Sequence, residues 1–263
     1  MKTTLKIARY QARDVVRGRW LVLYALFFAG VGELLIRFGG GPVKALLGLV
    51  SLVLVVVPLV AIMFGGIYVY GGREFNQLLL AQPIDRRQLF AGLYGGLALP
   101  LAAAFVLGVG TPLAARVVGE PAQLVALGTL LLAGVFLTLV FVALALLVAF
   151  GVQDKTKGLG VAVALWLALT VVYDGAVLLV VTRFAHYPLE HPMIGLMLLN
   201  PVDLARVLLL LQFDVSALMG YTGAVFQRFF GSTLGTAVGV AGLTAWIVGP
   251  LVLAARRFRR MDF

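Results

Sequence analysis

Few side chains in this 263-residue sequence are of kinds that do chemistry, and they are scattered. His186 and His191, with Met193, Met197 and Met219 after them, offer imidazole and thioether donors, a set suited to copper. The same methionines fit an apolar interfacial helix. With no cysteine in the chain and no carboxylate cluster nearby, no bound metal is expected. Tyr173 and Asp174 interrupt a long apolar run, where an acid facing lipid is costly. Asp174 either lines a path or meets an arginine such as Arg183, and the partnered reading is the simpler. Glu33 stands four residues before Arg37, the spacing and order of an ion pair on one helix face. The run Gly39 to Lys44 lacks the spacing and the hydroxyl of G-x-x-x-x-G-K-[ST], so ATP hydrolysis by that cradle is excluded. Neither H-E-x-x-H nor G-x-S-x-G occurs. A stand-alone membrane enzyme would have to draw on Asp174, His186 and His191, which form no nucleophile–base pair in sequence. No catalytic residue is expected, and the chain reads as something other than an enzyme.

The elements that position these residues are set by apolar runs. Apolar residues make up 62% and charged residues 12% of the chain, far from an ordinary soluble domain. Six runs match the roughly 20 residues needed to cross a hydrocarbon core: about 20–38, 45–70, 89–115, 122–152, 158–182 and 234–255. Those at 45–70 and 122–152 exceed a perpendicular crossing and predict tilt or extension. Pro58, Gly65 and Gly66 are placed to bend the second run, and Pro100 the third. Ahead of the first, Lys2, Lys6, Arg9, Arg13 and Arg17 form a cationic stripe. Residues 1–18 therefore read either as a helix lying in the headgroup layer or as a simple basic flank. No small-residue cleavage site follows, so a removable signal peptide is not expected.

Charge sets the orientation. With the N-terminus inside, fifteen basic and five acidic residues fall inside, against six and six outside. The bias predicts both termini on the cytoplasmic side of the membrane. The net charge of +10 is thus a matter of topology and membrane lipids, and no nucleic acid is expected as a partner.

The main polar interruption in the front half is GGREFNQLLLAQPIDRRQLF, residues 71–90. Phe75, Leu78 and Leu79 fall at helical spacing, with Arg73, Glu74, Asn76 and Gln77 on the polar side. Pro83 cannot continue that helix. Asp85 with Gln88 resembles a capping pair that opens a new helix at Arg86 and Arg87. The pattern is that of a short cytoplasmic helix for another protein to grip, residues 71–88. Near the other end, residues 183–233 form one long outer loop. Asn200, Pro201 and Asp203 mark a strong helix start. That helix is expected at the outer interface or tucked against the bundle. A second apolar piece carries Tyr221 and Phe226. The loop is either a lid over the outer mouth or a docking surface. Gly231, Gly235 and Gly239 form a small-residue stripe suited to close packing, within the bundle or across a dimer.

The resulting picture is one all-α integral membrane domain over residues 1–263, with an interfacial N-terminal helix, six spans, a cytoplasmic coupling helix and a helical outer loop. It resembles the permease subunits of type-2 ABC transporters. The stretch from Arg73 to Gly96 is similar to that family's first inner loop, with an acid, a Leu-Leu-x-x-Pro run and a basic pair. Residues 154–158, Tyr173 to Gly175, and 199–203 through 221–223 resemble one subfamily, the permeases that serve maturation of the copper centre of nitrous oxide reductase. The resemblance implies a second copy of this chain, two copies of a cytoplasmic ATPase that carry the ATP and magnesium, and an extracytoplasmic accessory protein. It assigns ATPase coupling to Arg73, Glu74, Phe75, Gln77, Leu78, Arg86 and Arg87, and accessory docking to Asn200, Asp203, Arg206, Tyr221 and Phe226. Glu33, Tyr173 and Asp174 are the intramembrane polar candidates. The alternative is a type-2 exporter permease for a lipid, drug or polysaccharide.

Overall fold

Helices supply all the regular structure among the described residues of the computed structural model, which are 2–73, 75, 78, 85–117, 119–184, 190–211 and 232–260. Glu74, Gln77, His186, Tyr221 and Phe226 lie outside them. After α1 (Lys2–Arg17) come five helices long and apolar enough to span: α2 (Arg19–Phe38), α3 (Pro42–Gly71), α4 (Arg86–Val117), α5 (Pro121–Gly151) and α6 (Lys155–Arg183). Two short helices follow, α7 (Glu190–Leu198) and α8 (Pro201–Leu210), and then the sixth span, α9 (Thr233–Arg260). These are the six spans expected from the apolar runs. With 30, 32 and 31 residues, α3, α4 and α5 outrun the roughly 20 a perpendicular crossing requires.

Helix α5 is apolar all round, and it forms the centre of the bundle, touching α3, α4, α8 and α9. Close approach there depends on missing side chains. A Cβ on Gly134 of α5 would sit 2.2 Å from the Phe105 ring of α4, and one on Gly108 of α4 2.6 Å from the Ala25 carbonyl oxygen of α2. Phe105 and Phe28 then meet edge to face at 5.3 Å. Helices α2, α6 and α9 are the least covered spans and turn most of their surface outward. Helix α3 continues through Pro58, α4 through Pro100 and Pro112, and α9 through Pro250.

Helix α1 packs against α4 and reaches α3: the Tyr68 hydroxyl donates to the Gln11 side-chain oxygen and lies 3.3 Å from Asp14 Oδ2. Gln11 and Val15 are buried.

Two features go beyond the sequence reading. The fifth span contains a π turn, Ala168–Val172, at its middle. Helices α7 and α8 meet at a bend of 112°, and the break between them sits deep rather than at the surface. Asn200 touches Leu169, the central residue of Lys155–Arg183, and Leu198 touches Trp246 near the centre of α9. The pair is re-entrant, entering from one end of the bundle and turning at mid-depth. The Gly239 position closes against Leu208 of α8, so the C-terminal end of the glycine stripe seats α8 inside the bundle.

Candidate functional site

Two polar constellations lie along α6, one at its N-terminus and one at its middle. The first surrounds its N-terminus. Helix α5 ends at Gly151 and leaves carbonyls without helical partners. Arg73, two residues past the end of α3, supplies the donors. Its Nη2 reaches the Ala149 carbonyl at 2.9 Å and the Val152 carbonyl at 3.1 Å, and its Nη1 donates to the Gln153 carbonyl. A guanidinium at a helix C-terminus also meets the negative end of the dipole. Tyr70 completes the clamp. Its hydroxyl donates to the Val152 carbonyl at 2.9 Å, and its ring lies 4.6 Å from the guanidinium carbon of Arg73. Gly158 of α6 faces this hydroxyl so closely that a Cβ there would lie 1.6 Å from it. Asp154 then opens α6 by accepting from the Lys157 amide at 2.7 Å.

The start of α4, at the far end of the stretch that follows α3, is anchored as well. Asp85 caps α4 by accepting from the Arg87 amide at 2.9 Å, as its position in the sequence predicts. Arg86 donates to the Arg259 carbonyl in the last turn of α9 at 2.8 Å. Below these caps Phe90, Phe150 and Phe258 join the ends of α4, α5 and α9, with centroids 4.9–6.1 Å apart. Between the anchors, Phe75 stacks on Tyr10 of α1 at 5.6 Å, and Leu78 is 68% exposed. Arg87 is exposed too. The segment is therefore tied to α5, α6, α9 and α1 while presenting an apolar and a basic side chain outward.

The second constellation ties the middle of α6 to the re-entrant pair. Asn200 uses both ends of its amide: Oδ1 accepts from the Val202 amide at 3.0 Å, capping α8, and Nδ2 donates to the Leu169 carbonyl at 2.7 Å. The π turn offers that carbonyl, since its wider ring sends the Tyr173 amide back to Ala168. The Tyr173 hydroxyl donates to the Leu196 carbonyl of α7 at 2.6 Å. Arg206 binds Asp174 through both nitrogens, at 2.8 and 2.9 Å, and Asp203 at 2.8 Å. The partner of Asp174 is thus Arg206 and not Arg183. Asp203 is only 2% exposed and Asn200 is fully buried. Two carboxylates on one guanidinium is an arrangement for holding elements in register, since an unpaired charge here would be costly.

Glu33 stands apart from both sites, between Arg37 at 2.7 Å and Arg116 of α4 at 3.3 Å. Among the described residues no three His, Cys, Asp or Glu side chains converge as metal ligands. Sequence reading brought Tyr173 and Asp174 together but left Asn200, Asp203 and Arg206 as a separate group; the structure makes them one. It missed Tyr70 and Trp246, whose indole donates to the Leu198 carbonyl at 3.1 Å. A tryptophan inside an apolar span needs an acceptor, and that need was the available signal.

Six spans, a clamped segment between the second and third, and a re-entrant helix pair ahead of the last describe the membrane-embedded subunit of a transporter. The chain belongs to the ABC-2 family of transporter proteins, whose model matches residues 5–263. It is similar over its whole length to proteins called probable ABC transporter permease protein NosY. The relative from Pseudomonas aeruginosa is 28% identical and that from Stutzerimonas stutzeri 31%, each over 99% of both chains. Membership in this family implies an ATPase partner.

Proposed function

We propose that this chain is the membrane half of an ATP-driven complex built from two copies of it and two of a separate cytoplasmic ATPase. ATP and magnesium reside on the ATPase, and this chain carries no cofactor. Both termini lie in the cytoplasm of a bacterial inner membrane. As in NosY-like systems, the complex acts toward an extracytoplasmic accessory protein in maturation of the copper site of nitrous oxide reductase.

The observation that carries this reading is the hold of Arg73 on the turn between α5 and α6. An ATPase closing on ATP would displace the segment after Arg73, through Glu74, Phe75, Gln77 and Leu78 and the basic pair Arg86 and Arg87. Arg73 and Tyr70 pass that displacement to the N-terminus of α6. At its other half α6 is joined to α7 and α8 through Leu169–Asn200 and Asp174–Arg206. It acts as a connecting rod between two packed ends. Asn200, Asp203 and Arg206 fix the re-entrant pair, and the rest of the outer loop, Tyr221 and Phe226 included, meets the accessory protein.

Co-purification with a nucleotide-binding subunit tests the complex. Charge reversal at Arg73 or Glu74 should lower stimulated ATPase activity, and unchanged assembly and unchanged stimulation would remove this assignment. Deleting residues 212–231, which spares α7 and α8, should abolish accessory-protein binding. An exporter of lipid, drug or polysaccharide would not need that contact.

A further inference from the structure

An open groove of about 770 Å³ runs between α9 and α5, beside the Trp246–Leu198 contact and away from both charged clusters. Leu144 and Leu147 of α5 form one wall. Gly242, Trp246, Gly249 and Leu253 line the other, and Leu198 and Leu199 close it at mid-depth, where α7 breaks. From Gly242 to Leu253 the helix rises roughly 16 Å. That is about half of a hydrocarbon core of roughly 30 Å, the depth of one leaflet. The same helical stripe continues at Arg256 and Arg260, both exposed. Arg257 leans back over the end of α5, with Nη1 3.5 Å from the Leu147 carbonyl.

We propose that this groove is a site for one anionic phospholipid, its acyl chain against Gly249 and Leu253 and its phosphate on Arg256 and Arg260. The charge pattern selects this occupant. The apolar trough has the length of one acyl chain and ends in arginines at the depth of a headgroup. A second copy of the chain centred on this groove fits poorly, because a two-fold axis there would set Arg256 and Arg260 close to their own counterparts. A zwitterionic lipid would fill the trough but bring its own cation beside the arginines, leaving their charge unbalanced. The inference needs only that the chain sits in a membrane, so it stands or falls apart from the ATP-coupled role.

The test uses Trp246 as a reporter inside the groove. In the full chain carrying Trp20→Phe and Trp166→Phe, Trp246 is the sole remaining tryptophan of three. The protein is placed in nanodiscs containing increasing fractions of brominated-chain phosphatidylglycerol or brominated-chain phosphatidylcholine, and quenching of Trp246 is followed. Half-quenching should need at least about fivefold less phosphatidylglycerol, the change that one arginine–lipid contact supplies. Replacing both Arg256 and Arg260 by Gln should erase the preference. Gly249→Leu should suppress quenching by both lipids while the helical circular dichroism is kept, because a Cβ at Gly249 meets no atom within 4 Å. Equal quenching by the two lipids, or a preference that survives the Arg256→Gln/Arg260→Gln change, would overturn the proposal. Absence of quenching by either lipid in the unaltered groove would assign this face to protein contact instead.

Discussion

Asn200 and Leu169 are joined by a hydrogen bond of 2.7 Å from the side-chain amide of one to the main-chain carbonyl of the other. The acceptor lies within a π turn at the middle of a membrane span, and the donor is at the same time the cap of the next helix but one. One residue therefore sets both the depth of the re-entrant pair and its attachment to α6.

Replacing Asn200 with Leu should cost about 1–3 kcal/mol, because it removes the cap and leaves the Leu169 carbonyl unpaired in an apolar setting. Thermal unfolding in detergent should show this as a lower midpoint. Asn200→Asp keeps the cap but not the donor, so its loss should be partial only if the link to Leu169 matters independently. Equal effects of the two changes would mean that the link to Leu169 alone stabilises, and an undiminished midpoint in Asn200→Asp that the cap alone does.

The Arg206 cluster gives an asymmetric expectation. Arg206→Met strands Asp174 and buried Asp203 together and should destabilise by about 3–5 kcal/mol. Changing Asp174 to Asn as well as Arg206 to Met should recover part of that loss. The comparison is read from unfolding midpoints of the single and double variants, and strict additivity would show that the charges do not interact.

At the N-terminus of α6, Gly158→Ala should be costly, since its methyl would overlap the Tyr70 hydroxyl at 1.6 Å. Overpacking of this kind costs about 1–3 kcal/mol. In a Tyr70→Leu background the same change should cost clearly less, because the overlapping atoms are gone. A double-mutant cycle on stability supplies the measurement.

Arg73→Lys keeps the charge but cannot span three carbonyls with a planar fork. ATPase stimulation should fall severalfold while the complex still co-purifies, and Arg73→Ala should be no milder. Loss of co-purification with Arg73→Lys would make Arg73 a docking residue in place of a transmitting one.

Topology can be measured cleanly because the chain contains no cysteine. A single cysteine at Lys155 should react with an impermeant maleimide only after the cells are opened, and one at Glu120 in intact cells. The reverse pattern would invert the orientation.

The membrane class and the six spans were legible because each is a property of a continuous stretch. A run of twenty apolar residues leaves the backbone little choice but a helix in lipid. The Asp85 cap was equally readable, its bond closing within two residues. The Glu33–Arg37 pair sits on one helix face for the same reason. Tertiary structure decided everything that joins residues far apart in the chain. Asp174 finds Arg206 rather than Arg183 because the α7–α8 turn brings Arg206 to its depth, and no local pattern encodes that turn. Arg73 looked like a surface charge in a polar stretch. Packing spent its donors on the carbonyls that α5 left open, a need visible only once the two helix ends lie side by side.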